Sequence, residues 1–219
     1  MDISISLLSA NFAHLAKHCK QLIQAGADRI HLDIMDGHYV PQLSFGPLIC
    51  QHLLSALDEH HHLPIDVHLM TEQPNHFFDV FATMSHSFDI TVVFHPSCSQ
   101  NIDEDLASIK SLGMKAGLAV NPNESFDIIL PWLKQSMLDQ LLVMTVMPGQ
   151  SGQTFINSPL RGLKQLAMTE KLPYVVVDGG INNQTIHQLS ALPVNSVVSG
   201  SYVCNHDSPK QAIESLRVI

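Results

Sequence analysis

Short runs rich in β-branched residues alternate along this chain with amphipathic stretches of helical length. Strands separated by helices cannot form tight hairpins, so the alternation predicts parallel strands covered by helices. Eight such β/α units can be placed in the 219 residues. The candidate strands lie near residues 3–8, 28–34, 64–70, 89–95, 114–120, 140–146, 174–178 and 195–199.

Glycine, proline and asparagine mark the boundaries between these predicted elements. Gly26 and Gly113 are helix-stop signals before the second and fifth strands, and a proline begins or precedes the third, seventh and eighth. The predicted helix starts carry good N-capping residues, namely Asn11, Asn101, Asn123, Asn182 and the pair Ser208-Pro209.

Eight units in one chain predict an α/β protein that closes into a single (β/α)8 TIM barrel. No linker rich in glycine, serine or proline divides the sequence, so we expect one barrel domain over residues 1–219. An open doubly wound sheet is the alternative. The glycine-rich nucleotide-binding patterns that would favour it, Gly-x-Gly-x-x-Gly and the P-loop, are absent from the sequence.

The charge of the chain limits its partners. The formal net charge is -9 and only 11 residues are lysine or arginine. Nucleic acids and anionic membranes require a dense basic surface, so we expect neither as a partner. A small anionic substrate is compatible with this charge, because backbone amides can bind anions without basic side chains.

The four cysteines, Cys19, Cys50, Cys98 and Cys204, are far apart and form no Cys-x-x-Cys pair. This spacing predicts free, buried thiols and neither a zinc ribbon nor a redox motif. No stretch of the sequence approaches the length of a membrane-spanning helix. We therefore expect a reducing, cytoplasmic location.

Polar residues recur on one face of the predicted strands. Alternate residues of a strand face opposite sides, so His31 and Asp33 share one face of the second strand, while its other face is apolar. Asp66 and His68 repeat this arrangement on the third strand, and Asp178 ends the seventh. If the apolar faces meet the helices, these polar side chains point into the barrel, where each needs a partner or a ligand.

His31, Asp33, His68 and Asp178 can converge on one ion, because parallel strands bring their carboxyl ends to the same rim of a barrel. Two imidazoles and two carboxylates suit a borderline divalent metal such as zinc, iron(II), manganese or cobalt. The alternative is an internal hydrogen-bond network without a metal.

Other polar and soft residues near the strand ends leave two interpretations open. His95 ends the fourth strand and either contacts substrate or is structural. Met35, Met70 and Met144 are either ordinary core residues or a polarizable cover over a planar intermediate. The adjacent His60, His61 and His62 do not share a helix face, so we expect their side chains to be exposed to solvent and assign them no role.

Glycine recurs after three adjacent strands. The sixth is followed by Gly149-Gln150-Ser151-Gly152, the seventh by Gly179-Gly180 and the eighth by Gly200-Ser201. Barrels often bind phosphate after the seventh and eighth strands, where glycine lets backbone amides approach the oxygens. Tight turns also need glycine, but three such turns together favour a phosphate site.

The run His31-Leu32-Asp33-Ile34-Met35-Asp36-Gly37-His38 resembles the most specific signature of the ribulose-phosphate 3-epimerase family. The resemblance extends over most of the chain, from Ser6 to Ser201. It continues in Val40-Pro41, Phe45-Gly46-Pro47, Asp66-Val67-His68-Leu69-Met70, Val143-Met144-Thr145-Val146, Pro148-Gly149, Gly152-Gln153, Phe155 and Val177-Asp178-Gly179-Gly180.

This resemblance implies a homo-oligomeric enzyme that epimerises a small phosphorylated ketose, D-ribulose 5-phosphate to D-xylulose 5-phosphate, at C3 through an enediolate. It implies one divalent metal held by His31, Asp33, His68 and Asp178. Asp33 would be the general base that removes the C3 proton, and Asp178 would return a proton to the opposite face of the substrate. The implied substrate-binding residues are Ser6, Met35, His68, Met70, Met144, Gly149, Gln150, Ser151, Gly152, Gly179, Gly180, Gly200 and Ser201.

Several positions depart from the family pattern. Ile5 stands where proline is usual, Gln150-Ser151 replaces Phe-Gly, and Pro96-Ser97-Cys98 follows His95 where an acidic residue is common. The pair His95-Pro96 looks more like the branch that acts on D-allulose 6-phosphate. Two further alternatives are a non-catalytic sugar-phosphate-binding barrel and a related decarboxylase, although Met35 occupies the position of the lysine in the decarboxylases' Asp-x-Lys-x-x-Asp motif.

Overall fold

A computed structural model of the chain describes residues 1–57 and 63–217. Its eight strands are parallel and pair in chain order, and the first also pairs with the eighth, so the sheet closes into a (β/α)8 barrel as predicted. The strands are β1 (Asp2–Ser6), β2 (Arg29–Met35), β3 (Ile65–Met70), β4 (Ile90–Phe94), β5 (Lys115–Val120), β6 (Gln140–Met144), β7 (Tyr174–Asp178) and β8 (Ser196–Ser199).

Helices cover the outside of the barrel. In the described ranges they are α1 (Leu15–Gln24), α2 (Pro47–Ala56), α3 (Phe78–Ser85), α4 (Ile102–Ser111), α5 (Leu130–Lys134), α6 (Ser158–Thr169), α7 (Ser201–Cys204) and α8 (Pro209–Leu216). The seventh unit has only a 3-10 helix, Ile186–Leu189, whereas two helices follow β8. No helix in these ranges has the length and apolarity that a bilayer crossing requires.

Three of the predicted capping residues cap helices. Asn101 and Ser208 accept hydrogen bonds from the first turns of α4 and α8, while Asn11 caps a 3-10 turn just before α1. Gly26 follows α1 with a φ of 107°, which favours glycine because it has no Cβ. His60, His61 and His62, which we expected at the solvated surface, lie outside the described residues.

The other two predicted caps are wrong. Asn123 precedes the fifth helical segment by three residues, and the hydroxyl of Ser125 caps that segment instead. The side chain of Asn182 accepts from the backbone amides of Gln184 and Thr185, closing a turn before the 3-10 helix that has Thr185 as its N-cap. In both places a polar residue nearer the helix takes the capping position.

Apolar side chains fill two layers. The larger lies between strands and helices and includes the outward residues Ile30, Leu32 and Ile34. A smaller one fills the barrel interior with Val93, Ala119, Leu142, Met144, Val146, Val176 and Val198. All four cysteines are free and buried, as predicted, and burial raises the pKa of each thiol to about 12.

The amino-terminal end of the barrel interior is polar. Arg29 of β2 donates two hydrogen bonds to Asp66 of β3, at 2.6 and 3.1 Å, and both side chains are buried. The guanidinium also lies 5.0 Å from the ring centre of Tyr174, whose hydroxyl donates to Asp2. Paired in this way, the charges satisfy each other without water.

We predict that Arg29→Met destabilises the fold by about 3–5 kcal/mol, because it leaves the buried carboxylate of Asp66 without its cation. Lys115→Met is the matched control. Lys115 forms a 2.7 Å pair with Asp89, but both side chains are about half exposed, so its loss should cost less than about 1 kcal/mol. Urea denaturation at fixed protein concentration measures both, and equal costs would contradict the prediction.

Candidate active site

The register of the strands brings four predicted residues together. Asp33 of β2 stands opposite His68 of β3, and His31 lies two residues earlier on the same inward face. Asp178 ends β7, where it pairs with Met144 of β6. The four side chains His31, Asp33, His68 and Asp178 each offer a ligand atom, and these atoms all lie within 4.8 Å of one another.

Individual distances show how closely the ligand atoms face each other. Nδ1 of His68 is 3.2 Å from Oδ1 of Asp33 and 3.9 Å from Oδ2 of Asp178. Nε2 of His31 lies 3.4 Å from Oδ1 of Asp33, 3.6 Å from Oδ2 of Asp178 and 3.4 Å from Nδ1 of His68. Each histidine therefore presents one nitrogen to the same small volume.

Neighbouring hydroxyl groups hold the carboxylate of Asp33 and the backbone at both aspartates. Ser6, at the end of β1, donates a 2.6 Å hydrogen bond to Oδ2 of Asp33, and Ser44 donates to the backbone carbonyl of Asp33. Thr145 donates to the backbone carbonyls of Asp178 and Gly179, at 2.9 and 2.6 Å. These bonds limit the movement of both strand ends, and the contact of Ser6 leaves Oδ1 of Asp33 facing the histidines.

The pKa values of the two carboxyl groups are shifted in opposite directions. Burial would raise the pKa of Asp33, but the hydrogen bonds and charges of His31 and His68 outweigh it and hold that pKa well below its usual value. Burial raises the pKa of Asp178 to about 7, and repulsion from Asp33 adds to the shift against the attraction of His31. Near neutral pH, Asp33 is therefore a carboxylate while Asp178 can carry a proton.

The histidines also differ. Burial would lower the pKa of His31, but Asp33 and Asp178 raise it to about 9. Burial lowers the pKa of His68, and holds the pKa of His95 well below its usual value, with repulsion from His68 adding to it. Without a metal, His31 is the group that carries positive charge in this cluster.

The donor set fits a divalent cation. Two carboxylate oxygens and two imidazole nitrogens are ligands that borderline metals accept. Among the described residues, no lysine or arginine lines the adjoining cavity, so no permanent side-chain charge balances Asp33 and Asp178 there. The His31, Asp33, His68 and Asp178 cluster could therefore hold a divalent metal ion.

A cavity of about 310 Å³ adjoins the cluster at the carboxyl ends of the strands. Asp33 and Asp178 line it, whereas His31 and His68 are fully buried and do not. The remaining residues predicted to bind substrate all line this cavity: Ser6, Met35, Met70, Met144, Gly149, Gln150, Ser151, Gly152, Gly179, Gly180, Gly200 and Ser201.

Close packing explains glycine in the turns after β7 and β8. Gly180 has a φ of 67°, and an added Cβ would lie 2.9 Å from the backbone nitrogen of Phe155. At Gly200 a Cβ would lie 3.0 Å from the hydroxyl of Ser9 and 3.4 Å from that of Ser151. A side chain at either position would therefore push the turn away from its neighbours. Glycine keeps both turns, and the backbone amides in them, at the wall of the cavity.

Sequence reasoning missed several residues around the site. Nine further residues line the cavity: Leu8, Val146, Met147, Pro148, Gln153, Ile181, Asn182, Val198 and Tyr202. Gln153 donates to the backbone carbonyls of Met147 and Gln150 and so stiffens the loop after β6. Its place in the Gly152-Gln153 match was the one signal that could have identified it.

His95 occupies a different position from the cavity residues. It is fully buried and does not line the cavity. Its Nε2 lies 2.9 Å from Nε2 of His68, on the side of the His68 ring that faces away from the cluster. Of the two interpretations left open by the sequence, this geometry favours a structural position behind His68.

Comparison with known proteins gives the family. The sequence profile of the ribulose-phosphate 3 epimerase family matches residues 2–204. The ribulose-phosphate 3-epimerase of Bacillus subtilis (strain 168) is 36% identical over 222 residues, which cover 99% of this chain and 98% of the relative. The ribulose-phosphate 3-epimerase of Escherichia coli (strain K12) is 35% identical over 98% of this chain and 94% of its own length.

Among solved structures, the 3-hexulose-6-phosphate synthase of Salmonella typhimurium superposes with a TM-score of 0.68. The alignment covers 99% of this chain and 96% of that chain at 15% identity, so this likeness concerns the fold alone. The family profile and the two epimerases carry the assignment: the chain belongs to the ribulose-phosphate 3-epimerase family and is, as predicted, an isomerase that acts on carbohydrates.

Proposed function

We propose that this protein interconverts D-ribulose 5-phosphate and D-xylulose 5-phosphate by proton transfer at C3. The observation that carries the proposal is the pair Asp33 and Asp178, which line one cavity and have opposite proton affinities. A carboxylate and a carboxylic acid at the same substrate are the two groups that inversion of a C–H centre requires.

The proton transfers follow from these protonation states. Asp33 is unprotonated and removes the proton from C3, leaving the electron pair of that bond in an enediolate. Asp178, which can hold a proton near pH 7, delivers it to the opposite face of C3. The product has inverted configuration, and in the reverse direction the two residues exchange roles.

A divalent cation held by His31, Asp33, His68 and Asp178 would supply positive charge to the oxygens of the enediolate. The donor set admits zinc, iron(II), manganese or cobalt. Met35, Met70 and Met144 line the cavity and present apolar, polarizable surface to the planar part of the substrate. This apolar surface limits the water that could protonate the enediolate on the wrong face.

The phosphate group would lie at the turns after β6, β7 and β8. Backbone amides of Gly180, Gly200 and Ser201 supply donors there without adding a cation. A phosphate held this way directs C3 toward the two aspartates, since these glycine turns and the carboxylates line the same cavity. Homo-oligomeric assembly and a cytoplasmic location stay predictions.

The residues of the site give little support to the three alternative functions, namely epimerisation of D-allulose 6-phosphate, decarboxylation and binding without catalysis. The pair His95-Pro96 that suggested D-allulose 6-phosphate does not line the cavity, so it gives that ketose no structural support. Met35 lines the cavity where the decarboxylases have lysine, so the cation that would protonate their carbanion is missing. A non-catalytic binder would have no use for two buried carboxyl groups of opposite protonation.

We expect the wild-type protein, loaded with metal in deuterated water, to exchange the C3 proton of D-ribulose 5-phosphate and to form D-xylulose 5-phosphate. D-allulose 6-phosphate is the comparison substrate, and nuclear magnetic resonance follows both. Faster exchange with the allulose substrate would reassign the ketose. Binding without exchange of either would contradict the function.

Asp33→Asn and Asp178→Asn should each reduce epimerisation by about 10²–10⁴-fold, since each removes one proton-transfer group. Asp178→Asn should slow exchange of D-ribulose 5-phosphate less than it slows epimerisation, because Asp33 can still remove and return the proton on one face. Asp105→Asn is the matched control: that carboxyl is buried against Ser99 and lies outside the cavity. Metal content of each variant is measured in parallel, and unchanged activity in either site variant would refute its role.

Metal affinity should rise with pH. His31 has a pKa of about 9 in the metal-free protein and must lose its proton to bind a cation. The carboxyl group of Asp178, with a pKa of about 7, binds a cation more tightly when it is ionised. Between about pH 7 and 9 the logarithm of the affinity should therefore increase by about one for each pH unit, and more steeply below pH 7.

Titration calorimetry with Mn²⁺ at pH 6 to 8.5, in two buffers of different ionisation enthalpy, measures both the affinity and the protons released. His31→Gln should release about one proton fewer near pH 8, since His31 is mostly protonated there in the metal-free protein. An affinity that does not change with pH would show that His31 and Asp178 are not ligands.

Gly180→Ala should raise KM for the ketose phosphate by about tenfold or more, with a smaller effect on kcat. The new Cβ would lie 2.9 Å from the backbone nitrogen of Phe155, so the turn must shift and its backbone amides would no longer be aligned with the phosphate. Gly26→Ala is the control, because Gly26 has the same left-handed backbone but nothing within 4 Å of an added Cβ. Both variants should lose stability, and equal KM values in steady-state kinetics would exclude this turn from phosphate binding.

A further inference from the structure

A third imidazole lies directly behind the cluster. His95 follows β4, and its Nε2 is 2.9 Å from Nε2 of His68. The opposite nitrogen of His68, Nδ1, faces Asp33 at 3.2 Å and Asp178 at 3.9 Å. His68 therefore has one nitrogen in the cluster and the other bonded to a residue that lines no part of the substrate cavity.

Only one proton can lie between the two facing nitrogens. A histidine that gives the lone pair of Nδ1 to a metal carries its proton on Nε2. In that state Nε2–H of His68 donates to Nε2 of His95, which must be the acceptor. The proton of neutral His95 then lies on Nδ1, which has no hydrogen-bond partner among the described residues. Metal binding at His68 must outweigh the cost of that one unpaired buried N–H.

The ring of His95 is itself held in place. It packs between His68 and Tyr39, with ring centres 5.1 and 4.9 Å away. The hydroxyl of Tyr39 in turn accepts a 3.0 Å hydrogen bond from the side chain of Asn121. The hydrogen bond to His68 on one side and the tilted ring of Tyr39 on the other limit rotation of this ring, so Nε2 of His95 stays directed at His68.

We propose that His95 is a positioning residue that keeps His68 in the tautomer and ring orientation required for binding a divalent metal. The inference rests on the metal cluster of the proposed function and goes beyond it by assigning a role to a residue outside both the cluster and the cavity. His95 touches neither the ligand atoms nor the substrate space, so it acts through His68 alone.

Loss of His95 would favour the wrong tautomer of His68. Without an acceptor, a proton on Nε2 of His68 would be a buried donor with no partner, which is costly. A proton on Nδ1 would still find Oδ1 of Asp33 at 3.2 Å, and that proton would occupy the lone pair that the metal needs. The variant should therefore retain its fold while binding metal more weakly.

Two substitutions separate the hydrogen bond from the packing. His95→Phe keeps an aromatic ring between His68 and Tyr39 but has no acceptor, so affinity for Zn²⁺ should fall about 10–100-fold. His95→Gln can place an amide oxygen near the position of Nε2 and should bind Zn²⁺ within about threefold of wild type. Titration calorimetry of the metal-free full chain measures all three affinities without reference to activity.

A stability control excludes a general effect on the fold. Val92→Ala removes buried volume from β4 on the helix-facing side, away from His68, and should lower the melting temperature without changing Zn²⁺ affinity. A ¹⁵N spectrum of the zinc-loaded wild type should show His68 bound through Nδ1 and protonated on Nε2. In His95→Phe loaded with saturating zinc, the chemical shift of the His68 Nε2–H group should no longer be that of a hydrogen-bonded proton.

Each result decides the matter. Weak binding by His95→Phe with rescue by His95→Gln supports the inference. Equal Zn²⁺ affinity in wild type and His95→Phe overturns it while leaving the proposed metal site intact, and failure of His95→Gln to rescue overturns the hydrogen bond as the cause. A wild type that binds no Zn²⁺ overturns the proposed metal site and this inference together.

Discussion

Closure of eight strands into one barrel makes the interior a small space into which every second residue of each strand must point. In this chain the middle of that space is filled by aliphatic side chains, while both ends are polar. His31, Asp33 and His68 at the carboxyl end have no space to turn outward, because β2 and β3 are buried on both faces, and Asp178 joins them from the end of β7. The chemistry of the site follows from this confinement.

The two ends solve the same electrostatic problem in different ways. At the amino-terminal end Asp66 is buried beside Arg29, so a permanent cation balances its charge. At the other end Asp33 and Asp178 lie within a few ångströms of each other, together with two imidazoles. No lysine or arginine in the described part of the chain lines the cavity there. Their charge can be balanced only by protons or by a bound cation. Arg29 and Asp66 form a permanent ion pair, whereas the cluster at the carboxyl end can exchange protons.

Much of the fold could be predicted because strand periodicity and the stops between elements are local signals. All eight candidate strands are strands, and most of their ends shift by only one or two residues. β1 ends earlier than expected, at Ser6, because the hydroxyl of Ser6 caps a 3-10 turn that starts at Leu7. The short seventh helical segment and the additional α7 were not predicted, since their lengths depend on packing at the rim and not on sequence pattern.

The composition of the candidate site could also be predicted, because parity on a strand selects the inward residues and parallel strands end at one rim. Convergence of His31, Asp33, His68 and Asp178 follows from those two rules together with the register between β2 and β3. The position of His95 could not be found in this way. Parity turns it inward, as it does Val93, but does not tell whether its ring reaches the substrate cavity or lies behind His68. The hydrogen bond to His68 and the contact with Tyr39 determine that position.

The substitutions in the loop after β6 show how a departure from the family pattern can be accommodated. The hydroxyl of Ser151 lies 2.6 Å from that of Ser9, so this loop is tied to the loop after β1 across the carboxyl end of the barrel. Gly200 lies beside both hydroxyls, with room for no side chain, and Gln153 holds the loop from its other end. The hydroxyl added at Ser151 therefore strengthens the wall of the cavity next to the turn of Gly200. A loop braced at both ends can keep its backbone amides in place for an anion, which would allow a chain with net charge -9 to bind the proposed phosphate group without a basic side chain.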